Sequence, residues 1–135
     1  MRVALDTNVL ISAYTTRGLS SDVFRVVLTE HDLVLSEPVL REFEQVMIHT
    51  FRLPRKYVVE FLGELRLHHV EPTPVDTSSL NFIRDADDRP IVAAAISAGA
   101  TVLVTGDLDI LDVRDKLSEL SVLAPREFWQ ALRGG

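Results

Sequence analysis

Short apolar runs alternate along the chain with longer stretches whose apolar residues recur at helical spacing. Residues 2–6, RVALD, read as a short buried strand ending at Asp6. Residues 8–15 begin a helix. Ser20 or Ser21 is the expected N-cap of a second helix running to about Thr29, with Val23, Val26 and Val27 on its apolar side. Residues 33–35 read as another strand. Ser36 then caps a helix with Pro38 in its first turn, where a missing N–H costs little. Val39, Phe43, Val46, Met47 and Thr50 keep helical spacing and carry that helix to about His49.

Pro54 separates it from an amphipathic helix over 55–69, which Pro72 and Pro74 follow as a loop. Residues 88–98 read as a helix ended by Gly99. Residues 101–105, TVLVT, form the clearest strand, β-branched and apolar, with Gly106 as a turn. A short helix over 109–117, a strand at 122–123 and a helix over 125–132 complete the pattern, with Phe128 and Trp129 assigned to the core. No linker or internal repeat divides the chain, so one domain over 1–135 is expected. Strands alternating with helices imply an α/β fold, a three-layer α/β/α sandwich around a mostly parallel sheet. Right-handed crossovers put the strand C-terminal ends along one edge, where ligands of such sheets bind.

Composition changes this picture little. Of the 135 residues 47% are hydrophobic and 25% charged, which is ordinary globular usage and argues against disorder. The absence of Cys excludes disulfide scaffolds, thiolate metal sites and Cys nucleophiles. Asp6 interrupts any secretory apolar region, and the apolar stretch 90–104 is broken by Ser97, Gly99 and Thr101. That stretch is shorter than the ~18 residues a membrane span needs. A cytoplasmic protein without a membrane partner is expected. The formal charge of −6 argues against a polyanionic partner unless the acids are clustered for a purpose.

The acids are placed suggestively. Asp6 ends the first strand and Asp107 lies two residues past TVLVT, so a parallel sheet brings both to one edge. Asp88 opens a helix after the cluster Asp85-Ala86-Asp87-Asp88, and Asp109 opens another. Glu42 and Glu44 flank the apolar stripe of their helix at roughly 100° to either side. Converging carboxylates repel one another unless a cation compensates them. An all-oxygen donor set points to Mg²⁺ or Mn²⁺, one or two ions, and suits phosphodiester hydrolysis by metal-activated water. Plainer readings exist: an Asp at a helix start is often only a cap or dipole partner. Asp6 resists that reading, because a carboxylate directly after a buried strand is costly unless compensated.

Phe51 is interleaved among Arg52, Arg55 and Lys56, which suits tracking an RNA backbone and stacking a base. The plainer alternative is a solvated connection with Phe51 packed inward. Arg41 and Arg89 each adjoin an acid and either touch phosphate or balance charge. His31, His49, His68 and His69 show no i,i+4 pairing, and His68 and His69 read as helix C-terminal residues complementing the dipole. No GxGxxG, GxxxxGK[ST] or GxSxG occurs, so nucleotide cradles and the Ser-elbow hydrolase lose support.

The ordered segments VALDTNVLISA, LSEPVLREFEQVM, DADDRPIVAAAISAGATVLVTGDLDIL and APREFW resemble the PIN-domain ribonucleases. Within them the chain is most similar to the VapC-like toxins of toxin–antitoxin systems. The resemblance implies a metal-dependent endoribonuclease acting on single-stranded or unpaired RNA, leaving 5′-phosphate and 3′-hydroxyl ends. It carries the catalytic, metal-holding acids onto Asp6, Glu42, Asp88 and Asp107, with Asp109 as an additional metal ligand and Asp85 as a weaker candidate. It selects Glu42 over Glu44. Thr7, Asn8 and Thr105 match polar positions that orient carboxylates or water. A cognate antitoxin and a homodimer are further family expectations. The competing reading is a non-catalytic PIN-fold module that binds another protein. An Asp-nucleophile phosphotransferase is disfavoured, because Asn8 stands where that chemistry wants a second Asp. Two divalent ions would add four positive charges to the formal −6, so overall acidity does not exclude RNA.

Overall fold

The structure is a computed structural model that describes residues 1–134. Five parallel strands form one sheet in the order β3-β2-β1-β4-β5. They are β1 Arg2–Leu5, β2 Asp32–Ser36, β3 His69–Glu71, β4 Val102–Val104 and β5 Ser121–Leu123. The chain steps outward from β1 through β2 to β3, then returns to the other side of β1 with β4 and β5. The strand order therefore reverses at the β1–β4 seam, the place where open α/β sheets bind ligands.

Side chains alternate across the sheet and build two cores. Val3, Leu5, Leu33, Leu35, Val102 and Val104 face helices α1 (Thr7–Thr15), α2 (Leu19–Glu30), α3 (Glu37–His49), α4 (Arg55–Leu65) and α7 (Pro125–Gly134). Ala4, Val34, Leu103 and Val122 face α5 (Arg89–Ser97) and the chain around α6 (Leu108–Leu111). Both faces are covered, so the inner positions of β1, β2 and β4 are apolar, as a parallel sheet requires, while edge strand β3 is polar. The three-layer α/β/α reading holds, with a sheet that is wholly parallel.

Local chemistry explains most element ends. The Ser36 hydroxyl accepts from the Val39 N–H at 3.4 Å and starts α3 as expected. Gly99, at φ 72°, ends α5 in the left-handed conformation that glycine adopts without a Cβ clash. Other boundaries differ. The cap of α2 is Gly18, not Ser20 or Ser21, and no side chain caps that end. The helix expected over 55–69 stops at Leu65, so His69 lies in edge strand β3, paired with Glu71 at 2.7 Å, rather than at a helix terminus. The helix expected over 109–117 is broken into α6 and a 3₁₀ turn, Arg114–Lys116. Trp129 is only half-buried, while Phe128 is fully enclosed. Among the described residues no helix is long and apolar enough to cross a membrane.

Candidate metal centre

The sheet register builds the site. Leu5 pairs with Val104, and the ladder continues one step as the Asp6 N–H donates to the Val104 carbonyl at 2.9 Å. Asp6 and Thr105 are thus neighbours across the central seam although far apart in sequence. The Thr105 hydroxyl donates to Asp6 Oδ2 at 2.6 Å and accepts from the Asp107 N–H at 3.0 Å. Fully buried, it joins the two acid-bearing turns through one oxygen. The Thr7 N–H donates to the other Asp6 oxygen at 2.7 Å.

Asp6 is 3% exposed. Burial raises its carboxyl above the usual range; the Thr105 and Thr7 hydrogen bonds oppose this, and the charges of Glu42 and Asp107 add to it. Asp88 is raised as well, to about 8. Burial is again the main cause, followed by the Asp107 side chain within hydrogen-bonding reach and the charges of Asp107, Asp6 and Asp85. Although Asp88 sits at the N-cap of α5, its side chain makes no capping bond. Its Oδ2 is buried without a hydrogen-bond partner. The plain capping role is therefore absent, and a buried carboxylate oxygen is left needing a cation or a proton.

Asp107 caps α6 by accepting from the Asp109 N–H at 2.9 Å. One carboxylate oxygen each from Asp85, Asp88 and Asp109 lie within 4.8 Å of one another. Asp109 is also gripped by the Arg84 guanidinium at 2.9–3.2 Å. Glu42 projects from α3 into an open groove of about 240 Å³ lined also by Pro38, Arg41, Thr73, Asp87 and Pro90. The acids thus come from four segments that the fold draws to one edge. Clustered hard oxygen donors, an orphaned buried oxygen and two raised carboxyls fit an oxygen-seeking divalent cation.

The remaining sequence candidates divide. Thr7 is buried with its hydroxyl unpartnered, whereas Asn8 is exposed and bonds to none of the acids among the described residues. Arg89 donates to the carbonyls of Ile83 at 2.9 Å and Asn81 at 3.4 Å, which pins the loop before α5. Arg52, Arg55 and Lys56 lie beyond the C-terminal end of α3, about 10 Å of helix past Glu42. Phe51 in that turn is 47% exposed rather than packed inward. Arg84 was given no role from sequence. Its signal is its position directly before an acidic cluster that needs a counter-charge.

Residues 2–109 match the family profile described as PIN domain. The chain belongs to the PIN-domain family. No curated protein matches its sequence. By structure this PIN domain is similar to a chain of VapBC2 from Rickettsia felis, solved bound to a DNA fragment from their promoter. The TM-score is 0.65 at 14% identity, over 92% of this chain and 98% of that one. It is equally similar to a chain of FitAcB from Neisseria gonorrhoeae, with a TM-score of 0.65 at 18% identity and the same coverage. At these identities the likeness concerns the fold.

The raised Asp88 carboxyl has a measurable consequence for the PIN domain. Between its unfolded value near 3.8 and its folded value of about 8, the folded state binds more protons than the unfolded state. Stability is therefore highest below the unfolded value and is lost as pH rises through about 8. In EDTA, the melting temperature is expected to fall steadily from pH 5 to pH 8.5. Asp88→Asn, which cannot ionise, should flatten that slope, and Mn²⁺ should raise the melting temperature more at pH 8 than at pH 5. A slope identical in wild type and Asp88→Asn would assign the pH dependence elsewhere.

Proposed function

We propose that this PIN domain is a Mg²⁺- or Mn²⁺-dependent endoribonuclease that hydrolyses phosphodiester bonds of single-stranded or unpaired RNA. The observation that carries the reading is the buried Asp88 oxygen without a partner, set among Asp6, Asp85, Asp107 and Asp109. Asp6, Glu42, Asp88 and Asp107 are the proposed catalytic and metal-holding acids, with Asp109 as a further ligand. When bound, the metal acidifies a water and offsets the charge that develops on phosphate. Thr105 fixes the Asp6 carboxylate by its 2.6 Å hydrogen bond and keeps Asp107 in register with it. Thr7 holds the other Asp6 oxygen through its N–H, and Asn8 stands at the exposed start of α1.

Arg41, exposed in the groove beside Glu42, is placed to meet substrate phosphate. Arg52, Arg55, Lys56 and the exposed Phe51 offer a more distant track for a longer strand. Arg89 serves the loop instead. The whole of 1–135 is read as one PIN-like domain, because β5 joins the same sheet beyond the end of the profile match. The resemblance to VapC-like toxins, together with the fold shared with VapBC2, supports a toxin of a toxin–antitoxin pair. Its proposed partners are an antitoxin protein and a second copy of itself, and its proposed location is the cytoplasm.

Incubation with unstructured RNA is expected to yield 5′-phosphate and 3′-hydroxyl ends in Mn²⁺ and none in EDTA. RNA binding should likewise need divalent metal, because the metal-free protein carries a formal charge of −6. A metal-replete protein that cleaves no RNA yet binds an antitoxin would instead support the non-catalytic module.

A further inference from the structure

The groove of about 240 Å³ beside Glu42 is lined by α3 through Pro38, Arg41 and Glu42, and by the start of α5 through Asp87 and Pro90, with Thr73 from the loop after β3. Glu42 belongs to the proposed acids. Asp87 does not, since the close trio of acid oxygens comprises Asp85, Asp88 and Asp109. Asp87 is exposed, and only its backbone N–H is engaged, donating to Asp85 Oδ1 at 2.9 Å. Among the described residues its carboxylate makes no hydrogen bond, and Arg41 in the same groove forms no ion pair with it. Opposite charges share one groove and leave each other free.

We propose that this groove holds one unpaired guanine base of the RNA, with the Asp87 carboxylate accepting from its N1–H and N2–H groups. The proposal rests on the nuclease reading and names the base that the site selects.

The argument starts from charge. A free carboxylate beside the path of a polyanion repels phosphate, so it favours binding only where it meets donors. An ionised carboxylate is acceptor-only. Of the four RNA bases, guanine alone presents two adjacent donors on its Watson–Crick edge. Adenine and cytosine set a ring acceptor beside their amino group, and uracil flanks its one N–H with two carbonyls. Each of these turns a lone pair towards the carboxylate where guanine turns a hydrogen. In unpaired RNA that edge is open to be read. Guanine and Asp87 can then form two parallel charge-assisted hydrogen bonds.

The rest of the groove suits a base. Pro38 and Pro90 supply rigid apolar walls for a flat ring. The volume lies below the roughly 300–1,000 Å³ of pockets that take drug-sized ligands, which fits one base and not several. Arg41 remains the phosphate contact, which carries no sequence information. Because the groove also contains Glu42, the base read there belongs to a nucleotide near the phosphate to be cut.

The test is digestion of a random-sequence RNA pool in Mn²⁺, with the cut ends sequenced, by wild type, Asp87→Asn and Arg41→Ala. A thermal melt of each protein shows that it is folded. Wild type is expected to enrich guanine at one fixed position near the break. Asp87→Asn should lose that enrichment, because Asn turns one donor towards a base edge that is all donor. Arg41→Ala should slow cleavage of all sequences alike and keep the enrichment. In an oligonucleotide of the selected sequence, inosine at that position lacks the N2 amino group. It should slow wild type about ten-fold or more and leave Asp87→Asn with equal rates on both. Cleavage without guanine enrichment, or enrichment that survives in folded Asp87→Asn, overturns the proposal and leaves the nuclease reading standing. A folded, Mn²⁺-loaded wild type that cuts nothing in the pool overturns both.

Discussion

Asp6→Asn is expected to lower metal-dependent RNA cleavage by at least about 100-fold while leaving a folded protein whose metal-free form is no less stable. The loss exceeds the roughly 10–100-fold typical of groups that only orient a metal ligand, because the proposed ligand charge itself is removed. Asn preserves the side-chain volume and still accepts from the Thr7 N–H, while its Nδ2 faces the Thr105 hydroxyl as a donor, so that bond reverses and the β1–α1 turn keeps its anchor through Thr7. Stability moves the other way because burial already raises the Asp6 carboxyl, which means that its ionised form is a cost to the metal-free fold. The two readouts are a cleavage time course in Mn²⁺ and a thermal melt in EDTA. A folded variant that cleaves at the wild-type rate would remove Asp6 from the site. A variant that loses cleavage only because it melts would show that loss in the second readout.

The largest effect on stability is expected from Phe43→Ala, a loss of about 3–5 kcal/mol. Phe43 is fully buried one residue after Glu42 and meets the Tyr14 ring edge-on at 5.2 Å. Tyr14 in turn meets Phe24 at 5.6 Å and Phe61 at 4.9 Å between ring centroids, so its one ring links α1, α2, α3 and α4 through three contacts. Truncation opens a cavity that rigid neighbours fill only in part. For a domain of this size the melting temperature should drop on the order of 10–20 °C. Phe51→Ala is the matched control, since Phe51 is half exposed and its loss should stay within about 0.5 kcal/mol. Equal effects at both positions would contradict the assigned core. Because Glu42 rides on the helix that Phe43 anchors, the variant should also hold metal less well near its melting temperature.

What the sequence revealed followed the range of the interactions involved. Asp6 and Asp107 were legible because two apolar strands ending in Asp need only a parallel sheet to bring them together. Ser36 and Gly99 were legible because caps act over three or four residues. Strand β3 was not, since HVE is short and polar and takes its conformation from pairing with β2 rather than from its own propensity. The pairing of Arg84 with Asp109 was hidden for a related reason. Twenty-five residues separate the partners, and only the packing of the loop before α5 against α6 sets their distance. The choice of Asp88 within its acidic cluster came from family resemblance. Burial gives that choice a physical basis, since Asp88 is enclosed while Asp85 and Asp87 are exposed.

The 99-residue span between Thr105 and Asp6 has a consequence in time. The seam that holds the acids closes only when β4 lies against β1, and β4 is synthesised about 100 residues after β1. At a translation rate of about 5–20 residues per second, the chain spends on the order of ten seconds as an N-terminal fragment. Such a fragment lacks Thr105, Asp107 and Asp109, and Asp6 has no strand beside it to complete the pocket. Any chemistry that needs Asp6 and Asp107 side by side therefore has to wait until the chain has been made past β4.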